Sequence, residues 1–318
     1  MVAYIVRRLI HAAVVVVIVS VIIFIIIRLL PGDPIIMLIN QNMGASFTPE
    51  QIDAMRHEFG LDQPVIIQYF KWFGNALHGD FGISIINRFN VAQEIANRLP
   101  VTLMLGLTSF VIGLVVGPIL GIISAVRRGK IIDSVVTVLS NIGITAPQFW
   151  VGILLIFFFG LKLGILPIYG YTLPWNDFVL SFKQSIMPVI VLAMFPLASS
   201  ARQMRSSMLE VLHEDYIRTA WAKGLKEKQV IIKHAFKNSL MPVVTLQGLL
   251  LRNIVGGSVI VETVFVIPGM GKFMIDSMLS HDYTCVQATA LVMILVVVIS
   301  NLIVDLSYGW LDPRIQYE

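Results

Sequence analysis

The sequence predicts an all-α, polytopic membrane protein with six transmembrane helices. Three observations carry that prediction. The 318-residue chain is 57% hydrophobic and only 13% charged, about half the ~25% charge of a soluble domain. Its charges sit in short clusters between long uncharged runs, the pattern of repeated crossings of a ~30 Å hydrocarbon layer by helices of ~20 residues. The apolar, β-branched composition is also the opposite of a disordered chain.

The first predicted span, Leu9–Leu29, follows a short basic stretch with Arg7 and Arg8. Its apolar run is too long for a secretory signal core, and Leu30-Pro31-Gly32-Asp33-Pro34 follows it in place of a small-residue cleavage site, so it reads as an uncleaved span. The long segment Pro31–Pro100 comes next, with acidic residues in excess. Its Pro49–Gly79 portion reads as amphipathic helix, with Thr48 as a cap. The second span is Val101–Val126. It carries Gly113, Gly117, Gly121 and Ala125 at a spacing of four, one small-residue face that another backbone can approach, in this chain or another.

The third span is Ile144–Leu163, and Ile131–Gly143 reads as a membrane-level helix leading into it, broken at Pro147. The fourth, Ile186–Ser200, is short and carries Pro188 and Pro196, an interruption tolerated where a span lines a protein-buried cavity. The fifth is Met241–Thr263 and the sixth Val286–Leu306.

Lys and Arg set the expected orientation. Arg7 and Arg8, then Arg127, Arg128 and Lys130, then the run from Arg202 to Lys237 all fall on one side of a six-span chain. That side is expected to be cytoplasmic, with both termini inside and Pro31–Pro100 outside. The expected organisation is 1–93 as the first span plus the external segment, 94–308 as the membrane core with a cytoplasmic loop at about 202–240, and 309–318 as a tail.

The cytoplasmic loop is the most informative segment. His213-Glu214-Asp215-Tyr216-Ile217-Arg218-Thr219-Ala220-Trp221-Ala222-Lys223-Gly224-Leu225 places Glu214 and Arg218 four apart, the favourable order for a helical ion pair. Ile217, Ala220 and Trp221 make an apolar stripe that needs a partner. Lys223 closes the helix and Gly224 is placed to end it. A second helix, Lys226–Asn238, follows before Pro242 opens the fifth span. Composition alone also accommodates a basic helix pair lying in water or on the lipid surface.

Here the chain resembles a family. Arg218-Thr219-Ala220, then three residues, then Gly224 resembles the EAA loop of type I ABC importer permeases, with Arg and Thr in place of its Glu and first Ala. The distance from Gly224 to Pro242 departs from the general motif in the manner of the peptide and nickel permease branch. Arg7-Arg8-Leu9, Gly60-Leu61-Asp62-Gln63-Pro64, Gly79-Asp80-Phe81-Gly82, Arg98-Leu99-Pro100, Val261-Glu262-Thr263-Val264-Phe265, Pro268-Gly269-Met270-Gly271 and Asp312-Pro313-Arg314 extend the resemblance from end to end.

The resemblance implies a type I ABC importer permease fold and a subunit of a bacterial inner-membrane importer. The implied partners are a second homologous permease subunit, two cytoplasmic ATP-binding subunits, an external solute-binding protein and membrane lipid, with no nucleic acid. The implied cargo is short peptides, with nickel or a metal chelate as the alternative and a signalling or scaffold subunit as a more remote one. The coupling interface to the ATP-binding subunits then falls on Glu214, Asp215, Ile217, Arg218, Thr219, Ala220, Trp221, Lys223 and Gly224.

Other candidates are weaker. Gly269-Met270-Gly271-Lys272 lacks the first Gly and the Ser/Thr of a phosphate loop, so ATP and Mg are expected on the partner subunits. Arg252 and Asn253 fall in the middle of the fifth span. A charge there must face protein or water, so they are expected to line the pathway, or else to pair with the partner permease. Glu262, near the end of that span, is expected to meet the binding protein or a neighbouring loop. The six histidines are scattered without a metal-ligand spacing, and Cys285 reads as a packing residue. No metal site or catalytic set is expected.

Overall fold

The computed structural model describes residues 2–29, 36, 48–251 and 256–311. Among these residues the regular structure is helical, with one isolated bridge between Ile83 and Asn90. Four helices are long and apolar enough to cross a membrane: Ile5–Leu29, Val91–Val126, Phe178–Val211 and Tyr283–Leu306. A fifth candidate is the pair Ile131–Thr145 and Gln148–Lys162, bent by 109°. The break falls at Ala146 and Pro147, where the ring removes a helical donor and pushes the preceding residue into extended backbone (Ala146 φ −70°, ψ 130°). The predicted fifth span contains residues 252–255, which lie outside the described residues.

The chain divides into two compact units, Met1–Val101 with Pro268–Glu318, and Thr102–Ile267. In the first, α1 (Val2–Leu29) lies antiparallel to the last helix: Arg8 pairs with Asp305 at 2.9 Å, while Ile27 packs on Tyr283 and Val286. Helix α2 (Pro49–Glu58) starts on a capping box, in which Thr48 and Gln51 satisfy each other's backbone N–H. Helix α3 (Val65–Leu77) follows a turn at Gly60. The first turns of α4 (Val91–Val126) join the core of this unit, where Val91 and Ile95 meet Met270, Phe273 and a fully buried Cys285. Ser84 donates to the buried Asp282, which also accepts from the backbone of Ile85 and Cys285.

In the second unit the small-residue face of α4 finds its neighbour within the chain. It packs on α7 (Phe178–Val211), which follows α5 (Ile131–Thr145) and α6 (Gln148–Leu155, continued as a π-helical segment Ile156–Lys162). A β-carbon placed on Gly117 would stand 2.5 Å from Ser200 Cβ and 2.7 Å from the Leu197 carbonyl oxygen. On Gly121 it would stand 2.5 Å from the Ala201 carbonyl. The two backbones approach to a distance that only glycine allows. Helix α7 is longer at both ends than the predicted span, and Pro188 and Pro196 lie inside it.

Candidate functional site

The segment singled out by its sequence folds as α8 (Asp215–Ala222). Its end is a Schellman motif: the Gly224 N–H donates to the Trp221 carbonyl at 2.9 Å, and the Leu225 N–H to the Ala220 carbonyl at 3.4 Å. That wrapping needs a left-handed residue, and Gly224 has φ +75°. Leu225 completes the motif by packing onto the cluster that contains Ala220.

Two of the three residues of the stripe expected to await a partner are already covered, while Trp221 stays exposed. Ile217 is fully buried and Ala220 nearly so, in a cluster with Ala125 of α4, Met204 and Met208 of α7, and Val230, Ala235 and Val243 beyond the loop. These two residues belong to the chain's own core and not to an outer interface. The apolar seam is satisfied locally because the chain turns back at Gly224 and lays the following helix against it. Tyr216 and Trp221, both 42% exposed, flank the seam on either side. The outward face carries Asp215, Arg218, Thr219 and Ala222, with Glu214 before it and Lys223 and Gly224 after it, all exposed.

The expected Glu214–Arg218 pair is also replaced. Arg218 reaches Asp215 at 3.3 Å, one turn away, because Glu214 sits in extended backbone as the N-cap (φ −70°, ψ 148°) and is out of helical register. Thr219 donates to the Asp215 carbonyl at 3.0 Å. Beyond the turn, a short helix, α9 (Glu227–Gln229), runs into a π-helical segment (Val230–Phe236) and then α10 (Lys237–Leu251), with no break at Pro242, which lies inside α10. Asn238 donates to the Tyr216 hydroxyl at 2.8 Å, fastening α8 to α10.

A second arrangement was not foreseen. Asp133, at the start of α5, is buried and accepts four bonds: Arg205 Nε at 2.7 Å and Nη2 at 3.0 Å, Ser124 Oγ at 2.6 Å and the Gly129 N–H at 2.9 Å. It therefore ties the end of α4, the turn after it, α5 and α7 into one node. Arg205 follows Met204 directly, so this node adjoins the apolar cluster on which α8 sits. In sequence Asp133 lies three residues after Arg127-Arg128-Gly129-Lys130 and reads as one more solvated charge. Its proximity to a helix start was the available signal.

Also in this unit lies a pocket of about 310 Å³, whose lining includes Ser109, Gln148, Phe195, Pro196, Leu250 and Gly257. Arg252 and Asn253 lie outside the described residues. Glu262, on α11 (Ser258–Val264), is fully buried and accepts from Thr102 at 2.7 Å, so it is an interior group and offers nothing to an external protein.

Comparison with known proteins gives the following. Residues 117–317 match the family described as binding-protein-dependent transport system inner membrane component, and residues 1–106 match the N-terminal region described for the same systems. A protein of Brucella abortus (strain 2308) named as a peptide transport system permease is 40% identical over 319 residues, covering all of both chains. The oligopeptide transport system permease protein AppB of Bacillus subtilis (strain 168) is 38% identical over 320 residues, again covering all of both. Among solved structures, a chain of the MetNI methionine ABC transporter in an inward-facing conformation superposes with a TM-score of 0.55 at 17% identity, over 69% of this chain and 97% of that one.

Proposed function

This chain belongs to the binding-protein-dependent transport system inner membrane component family and is a multi-pass membrane permease, and from that premise we propose that it forms part of the path by which short peptides enter a bacterial cell. The cargo reading rests on relatives at 36–40% identity over the full chain that are named for peptide or oligopeptide transport. Its partners are a second, homologous permease, two ATP-hydrolysing subunits and an external binding protein. The chain itself hydrolyses nothing. The Lys/Arg-rich side carries both termini and α8 and faces the cytoplasm. The antiparallel pairing of the first and last helices supports placing both termini together.

The observation that carries the mechanism is the anchoring of α8. A partner pressing on a free amphipathic helix would only displace it. Here Ile217 and Ala220 are set into a core shared with α4, α7 and the helix after the loop. A push on the outward face of α8 by a closing ATPase is thus delivered to the ends of the membrane helices. The docking face is Asp215, Arg218, Thr219 and Ala222, rimmed by Tyr216 and Trp221, with Glu214, Lys223 and Gly224 at its ends. The peptide passes through the pocket beside Ser109, Gln148 and Phe195. Arg252 and Asn253, in the predicted fifth span, are proposed to line the same path, or else to pair with the partner permease.

The test is paired. Ala222→Tyr and Trp221→Asp alter the outward face and its rim without entering the core. A bulky group or a charge placed in a desolvated interface costs more than ~1.4 kcal/mol, so peptide uptake should fall by about ten-fold or more. The variants should reach the membrane at normal levels and lose co-purifying ATPase subunits. Full uptake together with full co-purification would remove α8 as the coupling element.

A further inference from the structure

We propose that α3 (Val65–Leu77) lies within the lipid leaflet that surrounds the Leu29 end of α1, as an interfacial helix alongside that span. Its occupant is lipid: acyl chains against one stripe of the helix and headgroups above it.

The placement begins with contacts along α1. The Tyr69 hydroxyl hydrogen-bonds Ser20 Oγ at 2.9 Å. Phe24 meets the rings of Tyr69 at 5.5 Å and Trp72 at 6.0 Å between centroids. Ser20 and Phe24 lie nine and five residues before Leu29, about 13 Å and about 7 Å along a helix axis. The 25-residue span Ile5–Leu29 is about 37 Å long, so a ~30 Å hydrocarbon layer centred on it begins only about 4 Å inside Leu29. Both contacts therefore fall below the lipid surface. Arg28, near the end of the span, folds its guanidinium back over Phe24 at 5.1 Å.

The helix has three faces. Tyr69, Trp72 and Phe73 turn toward α1 and are half-buried, with Tyr69 stacked on Phe73 at 5.7 Å. Ile66, Phe70 and Leu77 recur at four and seven residues and so share a stripe, and they are 71%, 67% and 70% exposed. Lys71 and Asn75 occupy the opposite side with Gln68. Gln68 holds the preceding turn by donating to the Leu61 and Gln63 carbonyls at 3.3 and 2.6 Å, so the polar connection lies over the polar side.

A stripe of Ile66, Phe70 and Leu77 in water would be an unusual cost, at about 1.5–3 kcal/mol per large apolar side chain. In lipid that cost disappears, as it does for Ile18, Ile22, Ile25 and Ile26, which α1 exposes on its side away from Ser20 and Phe24. Aromatic residues packed against the end of a span, a basic residue on the polar side and a separate apolar stripe are the features of an amphipathic helix set into the leaflet.

The experiment uses the intact transporter reconstituted in vesicles of phosphatidylethanolamine and phosphatidylglycerol. Single cysteines at Ile66, Phe70, Leu77, Lys71 or Asn75, in a Cys285→Ala background, carry a nitroxide. Its collision rates are measured with oxygen, which concentrates in acyl chains, and with a water-soluble nickel chelate. At positions 66, 70 and 77 the oxygen rate should exceed the nickel rate several-fold, and at 71 and 75 the order should reverse. Equal nickel access at all five positions would overturn the proposal. So would shielding of 66, 70 and 77 that appears only when the external binding protein is added, since the stripe would then be a protein-docking surface.

Discussion

Replacing Arg205 with Met should destabilise the folded chain more than any other single change at the Asp133 node. Asp133 has 8% of its side chain exposed and Arg205 30%. Removing one partner of a buried pair typically costs 3–5 kcal/mol, because the remaining charge is left desolvated. Two considerations lower that figure here. Ser124 and Gly129 still donate to the carboxylate, and water can reach the space vacated by a partly exposed Arg205. We expect about 2–3 kcal/mol, which for a chain of this size corresponds to a drop of roughly 3–5 °C in the unfolding midpoint. The double variant Asp133→Leu, Arg205→Met removes both charges and should recover at least half of the loss, since an apolar pair of similar volume is often neutral. The assay is thermal unfolding of the detergent-solubilised complex, read as a double-mutant cycle. A coupling below about 0.5 kcal/mol, or an Arg205→Met variant as stable as the parent, would show that the pair is a surface contact and would refute its assignment as a node.

Other expectations follow from named positions. Gly117→Ala should cost about 1–3 kcal/mol by overpacking against Ser200 and Leu197, while Gly74→Ala, with nothing within 4 Å, should be neutral or stabilising in the same melt. Gly224→Ala also meets no neighbour within 4 Å, so its cost is the left-handed backbone alone, about 1–2 kcal/mol. Gly224→Asn should recover part of that loss; equal stability of all three would remove the Schellman cap as a determinant. Asp282→Ala leaves Ser84 and two backbone N–H groups without their acceptor and should cost about 2–3 kcal/mol, seen as a lower midpoint. Cysteines at Asn87 and Lys226 in the Cys285→Ala background should react with impermeant reagents from opposite sides of the membrane; labelling of both from one side would overturn the orientation.

The first, second, fourth and sixth spans were legible because hydropathy reads uncharged runs, and it failed where helices leave the apolar run. Helix α4 begins at Val91 and not at Val101: Glu94 and Arg98 pair one turn apart, with Arg98 Nε donating at 2.7 Å, and carry the helix out past the apolar run. Helix α7 extends beyond its apolar centre into the segment with Arg202 and Arg205. The break at Pro147 and the left-handed turn at Gly224 were legible because each depends on one residue's backbone. The fate of Ile217 and Ala220 was not. Periodicity identifies an apolar face but is silent on whether its cover comes from the same chain. The ion pairs were the least legible part, since Asp133 and Arg205 are 72 residues apart and Arg218 had two acidic residues within reach.

The glycine face of α4 also sets how its neighbour can move. The contacts at Gly113, Gly117 and Gly121 form a corrugated track that repeats every four residues, about 6 Å of helix rise. Sliding α7 by a single residue, about 1.5 Å, would drive Pro196, Ser200 or Met204 off the glycines and onto the larger side chains between them. The next smooth registry lies a whole repeat away. Intermediate positions are therefore steep, and small loads leave the two helices travelling as one stiff beam. Relative movement of the two helices is thereby held to whole repeats, while the neighbouring helix pair meets at the corner at Ala146 and Pro147, where the chain turns through 109°.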